Sequence, residues 1–143
     1  MEIKTGSWYA PVPADHIKIG VSRGVPRGMP AGYRTFKKLA PGLWFNSVGL
    51  AEYLERYNAI LAGLDPKLTW YEIKAIAGDK TPVLCCYESA PSIQAGTTYC
   101  HRHMAAQWLE QTMGITIQEI GAPDNFDRWA MARKEGITPP SYR

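Results

Sequence analysis

Residues 81–88 read TPVLCCYE, and ten residues further on residues 99–103 read YCHRH. The first is a short apolar run with Pro82 at its start, the pattern of a strand buried on both faces. Before it, His16–Arg23 (HIKIGVSR) alternates, with Ile17, Ile19 and Val21 on one side, which predicts another strand. Between the two, Leu50, Leu54, Tyr57, Leu61 and Leu64 recur at steps of four, three, four and three, one face of a helix. Ser47 is its expected N-cap, and Gly63 and Pro66 close it. Glu52 precedes Arg56 by four, the favourable order for a surface pair. A shorter helix is predicted over Thr69–Ala77, with Trp70 and Ile73 inward and Gly78 as its end. Beyond YCHRH, Met104, Ala105, Trp108, Leu109 and Thr112 describe a helix that stops at Gly114. Ile115–Ile120 (ITIQEI) then alternates as a third strand, and Asp124 is the expected cap of a last helix carrying Phe126, Trp129 and Arg133.

Strand, helices, strand, helix, strand predicts an α/β fold: one three-layer domain over residues 1–143, with a small, mostly parallel sheet flanked by helices. Residues 1–15, with Pro11 and Pro13, read as an irregular lead-in, and 137–143 as a frayed tail. Crossovers in such sheets are right-handed, and ligands bind beyond the carboxyl ends of the strands. Two loops leave those ends. One follows Arg23 and contains three glycines and two prolines (GVPRGMPAGYR); the other follows Glu88.

A length of 143 residues suits one domain, and 45% hydrophobic with 20% charged residues is enough to bury a core. No stretch approaches the roughly 18 apolar residues of a membrane span. The first 15 residues lack a basic segment followed by an apolar run. A cytoplasmic protein without a membrane partner is therefore expected. Three cysteines (Cys85, Cys86, Cys100) cannot all pair, which suits a reducing compartment better than a disulfide scaffold. The net charge of +3 is unevenly placed. Between His16 and Ala51 stand Lys18, Arg23, Arg27, Arg34, Lys37 and Lys38, with no acidic residue. Such a block is either a solvated loop or an anion site, since arginine forks suit phosphate and carboxylate oxygens. Tyr33, Phe36 and Trp44 lie in the same segment, which admits a nucleotide or a nucleic acid as partner.

Strand side chains alternate, so Cys86 and Glu88 share one face and Cys85 and Tyr87 the other. Free cysteines in a strand are commonly buried small hydrophobes. Glu88 is different, because a carboxylate ending an apolar strand needs water, an arginine or an acid/base task. The YCHRH stretch opens a helix, whose free N–H groups and partial positive charge lower a thiol pKa and attract anions. Four readings stand side by side. Cys100 is a nucleophile assisted by His101; Arg102 and the helix end hold an anion; Cys86, Cys100, His101 and His103 hold zinc; or the cluster caps the helix and pairs with Glu88. The zinc reading has the wrong spacing, since Cys86 stands 14 residues away without a paired ligand. A phosphatase loop needs its arginine six positions after the cysteine, and here it comes two positions after. No metal and no cofactor are expected.

These motifs resemble the frame of the domain-of-unknown-function 488 family: VSRGVP (21–26), LAP (39–41), CYE (86–88), CHR (100–102) and a strand ending in QEI (118–120). The resemblance spans roughly residues 17–121. It implies functional positions at Arg23, Pro26, Cys86, Glu88, Cys100, His101 and Arg102. The loop SAPSIQAGTTY between Glu88 and Cys100 is longer than that pattern usually has.

The expected function is that of an enzyme acting on a small anionic ligand, nucleotide-like or phosphorylated. Glu88, Cys100 and His101 would be its catalytic groups, and Arg23, Arg27 and Arg102 would hold the ligand. The alternatives are a non-catalytic nucleotide or nucleic-acid binder using the basic 16–51 segment, and an interaction domain with a structural Cys-His-Arg/Glu cluster.

Overall fold

Lys4–Ser7, inside the segment expected to be irregular, is a strand (β1) and lies second from one edge of the sheet. It carries no apolar alternation to announce it; Thr5, Gly6 and Ser7 are small residues, and all three are buried. The structure, a computed structural model, describes residues 2–143. Its sheet continues with β2 (His16–Gly20), β3 (Arg34–Thr35), β4 (Thr81–Cys86) and β5 (Gln118–Glu119), in the order β3-β2-β4-β1-β5. All pairings are parallel. The predicted α/β architecture with a small parallel sheet is present.

Four helices of the set are α1 (Leu50–Ala62), α2 (Pro66–Ala77), α4 (His101–Met113) and α5 (Ala130–Lys134); a short α3 (Ala90–Gln94) stands in the stretch read as loop. Ser47 does not cap α1. It ends a 3-10 turn over Leu43–Asn46, and α1 starts after Gly49 without a side-chain cap. The second helix begins three residues earlier than predicted, because Pro66 fits a first helical position and Asp65 caps it by accepting from the Leu68 N–H at 2.9 Å. The last helix has Trp129, not Asp124, at its N-cap and no side-chain cap; Asp127, just before it, accepts from Trp129 N at 2.9 Å. The tail is not frayed: Gln107 donates to the Pro140 carbonyl, and Tyr142 is held by Gln111 and Asn58, each at 2.6 Å. Among the described residues no helix is long and apolar enough to cross a membrane.

The two faces of the sheet are closed differently. Ile17, Ile19 and Leu84 pack into the main core with Tyr57, Leu61, Ile73, Met104 and Leu109 of α1, α2 and α4. On the other face Val83 and Cys85 lie under Trp8, with Val12, Val25, Met29 and Tyr33 from irregular segments around it. Gly6, Cys85 and Gly20 are neighbours across β1, β4 and β2, and the Trp8 ring lies over Gly20, which has no side chain to exclude it. A Cβ on Gly20 would come within 2.2 Å of the Trp8 ring. Gly20→Ala is therefore expected to destabilise by about 1–3 kcal/mol, as other overpacked cores do. Urea melts of that variant, alone and combined with Trp8→Leu, check this; a neutral single variant would show that the indole is free to move.

This topology also fixes where a site can form. After β2 the chain turns outward to β3, and after β4 it goes by α4 to β5 on the opposite side. The β2–β3 connection contributes Val25, Met29 and Tyr33 to the Trp8 face, while α4 packs on the other face. Connections that diverge in this way leave a crevice at the carboxyl ends of the two strands between them.

Candidate active site

That crevice is a cleft of about 480 Å³. Ser22, Arg23 and Gly24 line it from the end of β2, Cys86, Tyr87 and Glu88 from the end of β4, and Tyr99, Cys100 and His101 from the entrance to α4. Pro41, Phe45 and Tyr53 complete its wall. Glu88, Cys100, His101 and Arg23 are thus brought together, although up to 78 residues separate them in the chain.

Each is positioned by an identifiable contact. Arg23 donates from Nη1 to the Pro41 carbonyl at 2.9 Å, and its other N–H groups have no partner among the described residues. Glu88 stands two residues beyond Cys86, the last residue of β4, and lines the cleft, where its carboxylate makes no hydrogen bond or ion pair with another described residue. Burial raises its carboxyl above the usual carboxylate range, against a smaller opposing effect of its own backbone N–H and of Arg102. Tyr53 and Tyr99 meet edge to face with centroids 5.0 Å apart, and Trp44 backs Tyr53 in the same way. Of these the sequence singles out Trp44 but not Tyr53, which sits on the inner face of α1 and reads there as core.

His101 is the first residue of α4. Its Nε2 lies 2.7 Å from the Val21 carbonyl, which can only accept, so Nε2 carries the proton and Nδ1 keeps its lone pair. Burial lowers its pKa to about 4, so the ring is neutral near pH 7. Nδ1 stands 4.0 Å from the Cys100 sulfur. Cys100 caps the helix, accepting from Arg102 N at 3.4 Å, and its sulfur is bonded to that of Cys86. Two of the three cysteines thus pair, where the sequence favours a reducing compartment over disulfides; Cys85 is free, buried beneath Trp8, and burial pushes its thiol up to about 12. A Cys100 nucleophile exists only after reduction.

Two of the expected ligand-binding arginines are elsewhere. Arg27 is exposed and stands outside the cleft. Arg102 is fully buried beneath it, and its guanidinium forks onto Glu119, Nε to Oε1 at 3.1 Å and Nη2 to Oε2 at 2.6 Å. Nη1 donates to the Cys86 sulfur at 3.2 Å. Each of its three guanidinium nitrogens is engaged within the protein and none is exposed, and its carboxylate partner is Glu119 rather than Glu88. The sequence did hold a signal for this. In ITIQEI, Glu119 falls on the same side as the buried Ile117, and a carboxylate on a buried face requires a cation.

His103 lies beside this pair, 3.5 Å from Glu119, with neither ring nitrogen hydrogen-bonded. Burial first, then the nearby Arg102, Arg128 and His101, hold it neutral, so the approach is not an ion pair. An unfolded chain protonates ordinary histidines below about 6.5, whereas these two stay neutral until far lower pH. The unfolded state then binds more protons, so stability falls as pH drops from about 6.5 towards 4. The expected slope is up to about 1.4 kcal/mol per pH unit for each ring. Urea melts between pH 7 and 5 test this, with a shallower slope expected for His103→Asn; a flat profile in the unaltered chain would contradict it.

Compared with known proteins, the chain matches no family model, no curated protein and no solved structure.

Proposed function

We propose that the protein is an enzyme acting on a small anionic ligand, nucleotide-like or phosphorylated, held in the cleft at the carboxyl ends of β2 and β4. One observation carries the reading: a carboxylate and a guanidinium, both without a full set of protein partners, face the same aromatic-walled cleft at the diverging strand ends. Arg23 receives the anion, the rings of Tyr53, Tyr99 and Phe45 border the flat part of the ligand, and Glu88 transfers the proton. The motifs that resemble the domain-of-unknown-function 488 frame are made of these same residues, at the two strand ends and the start of α4, and point to the same positions.

The nucleic-acid alternative draws less support. Phe36 is buried and offers no face on which a base can stack, and Tyr33 is half-buried in an edge contact with Trp8, centroids 5.5 Å apart. Lys38 is paired with Glu72, and Lys37 donates to the Arg23 carbonyl.

Melting the unaltered chain with nucleotides, sugar phosphates and short oligonucleotides tests the reading. A small ligand is expected to raise the melting temperature, and Arg23→Ala to remove most of that shift without lowering the melting temperature of the free protein. A shift only with oligonucleotides, or one that Arg23→Ala leaves intact, would overturn the assignment.

A further inference from the structure

We propose that the reduced protein binds one zinc-class divalent cation through the thiolates of Cys86 and Cys100 and Nδ1 of His101. These three donor atoms lie within 4.8 Å of one another. A tetrahedral zinc site with bonds of about 2.0–2.3 Å has edges of about 3.5–3.8 Å, so only small adjustments are required once the sulfurs separate. The sequence argued against such a site because Cys86 and Cys100 are 14 residues apart. The fold removes that objection by bringing the end of β4 against the start of α4.

Outer contacts make the cluster more than a coincidence of residue types. Ligands of a bound metal are oriented by second hydrogen bonds, and each of these three has one. The Cys86 sulfur accepts from Arg102 Nη1 at 3.2 Å, the Cys100 sulfur from Arg102 N at 3.4 Å, and the other ring nitrogen of His101 donates to the Val21 carbonyl at 2.7 Å. The His101 contact leaves the coordinating nitrogen unprotonated. Two soft sulfurs and an imidazole select zinc over magnesium or calcium.

His103, grouped with these residues in the sequence, is not a fourth ligand; its ring lies against Phe126, with centroids 5.3 Å apart, and beside Glu119. All three donors line the cleft that Glu88 also lines. The fourth position is therefore left to water or a ligand atom, the open arrangement that distinguishes reactive zinc sites from closed structural ones.

Because the two sulfurs are bonded in the structure, reduction comes first. Two equivalents of a thiol reductant form one external disulfide and leave a proton on each cysteine. The cation then displaces both protons and takes two S–metal bonds. Metal occupancy and the disulfide exclude each other. The claim concerns binding and does not rest on the enzymatic reading: a nucleotide shift without metal uptake, or the converse, separates the two.

The test is a Co²⁺ titration of the full chain, reduced and kept from oxygen, followed by Zn²⁺. One equivalent of cobalt is expected to give the intense visible bands of tetrahedral coordination and a thiolate charge-transfer band, both abolished by one equivalent of zinc. Zinc is also expected to protect Cys86 and Cys100 from alkylation, a readout that needs no variant. Cys86→Ser and Cys100→Ser should each weaken binding beyond the about 10–100-fold that outer contacts cost, while Cys85→Ser leaves it unchanged. A weak octahedral spectrum, unprotected thiols with zinc present, or full affinity in folded Cys100→Ser would overturn the proposal.

Discussion

Arg102→Met is expected to lower the free energy of unfolding by about 3–5 kcal/mol, because it strands a carboxylate in the interior. The Arg102 and Glu119 side chains are 0% and 1% exposed, so neither reaches water. The forked contact gives each group its partner, and methionine keeps much of the arginine volume while removing the charge. The remaining carboxylate has His103 at 3.5 Å, but burial disfavours the charged ring that would compensate it. Most of the cost is thus that of an unpaired buried charge rather than the worth of the pair. Combining Arg102→Met with Glu119→Leu is therefore expected to recover much of the lost stability. Denaturant melts of the two single variants and the double variant decide the matter. Losses that simply add would show that the two side chains are not coupled.

That pair also shows where sequence reasoning reaches and where it stops. Long periodic elements were legible, though not to their ends: of the Leu50–Leu64 stripe all but Leu64 lies in α1, and of the Thr81–Glu88 run Thr81–Cys86 forms the central β4. Short elements held by their neighbours were not. β1 contains Thr, Gly and Ser, and becomes a strand because β4 and β5 pair with it on either side. The site was legible as a location, since two strand ends and a helix start carry Arg23, Glu88, Cys100 and His101. What each residue does there depended on distances across the fold. Arg102, one position from His101, points into the interior because the first helical turn rotates its side chain by about 100°. The Cys86–Cys100 contact joins residues whose spacing alone argued against a shared role.

Glu88→Gln is expected to carry the largest functional effect. Glutamine preserves the shape of the carboxylate but cannot exchange a proton, and general acid–base groups contribute about 10²–10⁴-fold to rates. The substitution removes no hydrogen bond or ion pair within the protein, so the folded state should not suffer. The half-buried carboxylate it replaces is itself costly to desolvate. Binding should therefore survive while chemistry does not.

The most direct test measures ligand affinity and turnover side by side for the unaltered chain and Glu88→Gln, using whichever small anion stabilises the protein most. Affinity within a few-fold of the original, with turnover reduced about 10²–10⁴-fold, is the expected result. Turnover at the original rate in the variant would contradict the account and place the chemistry outside this cleft.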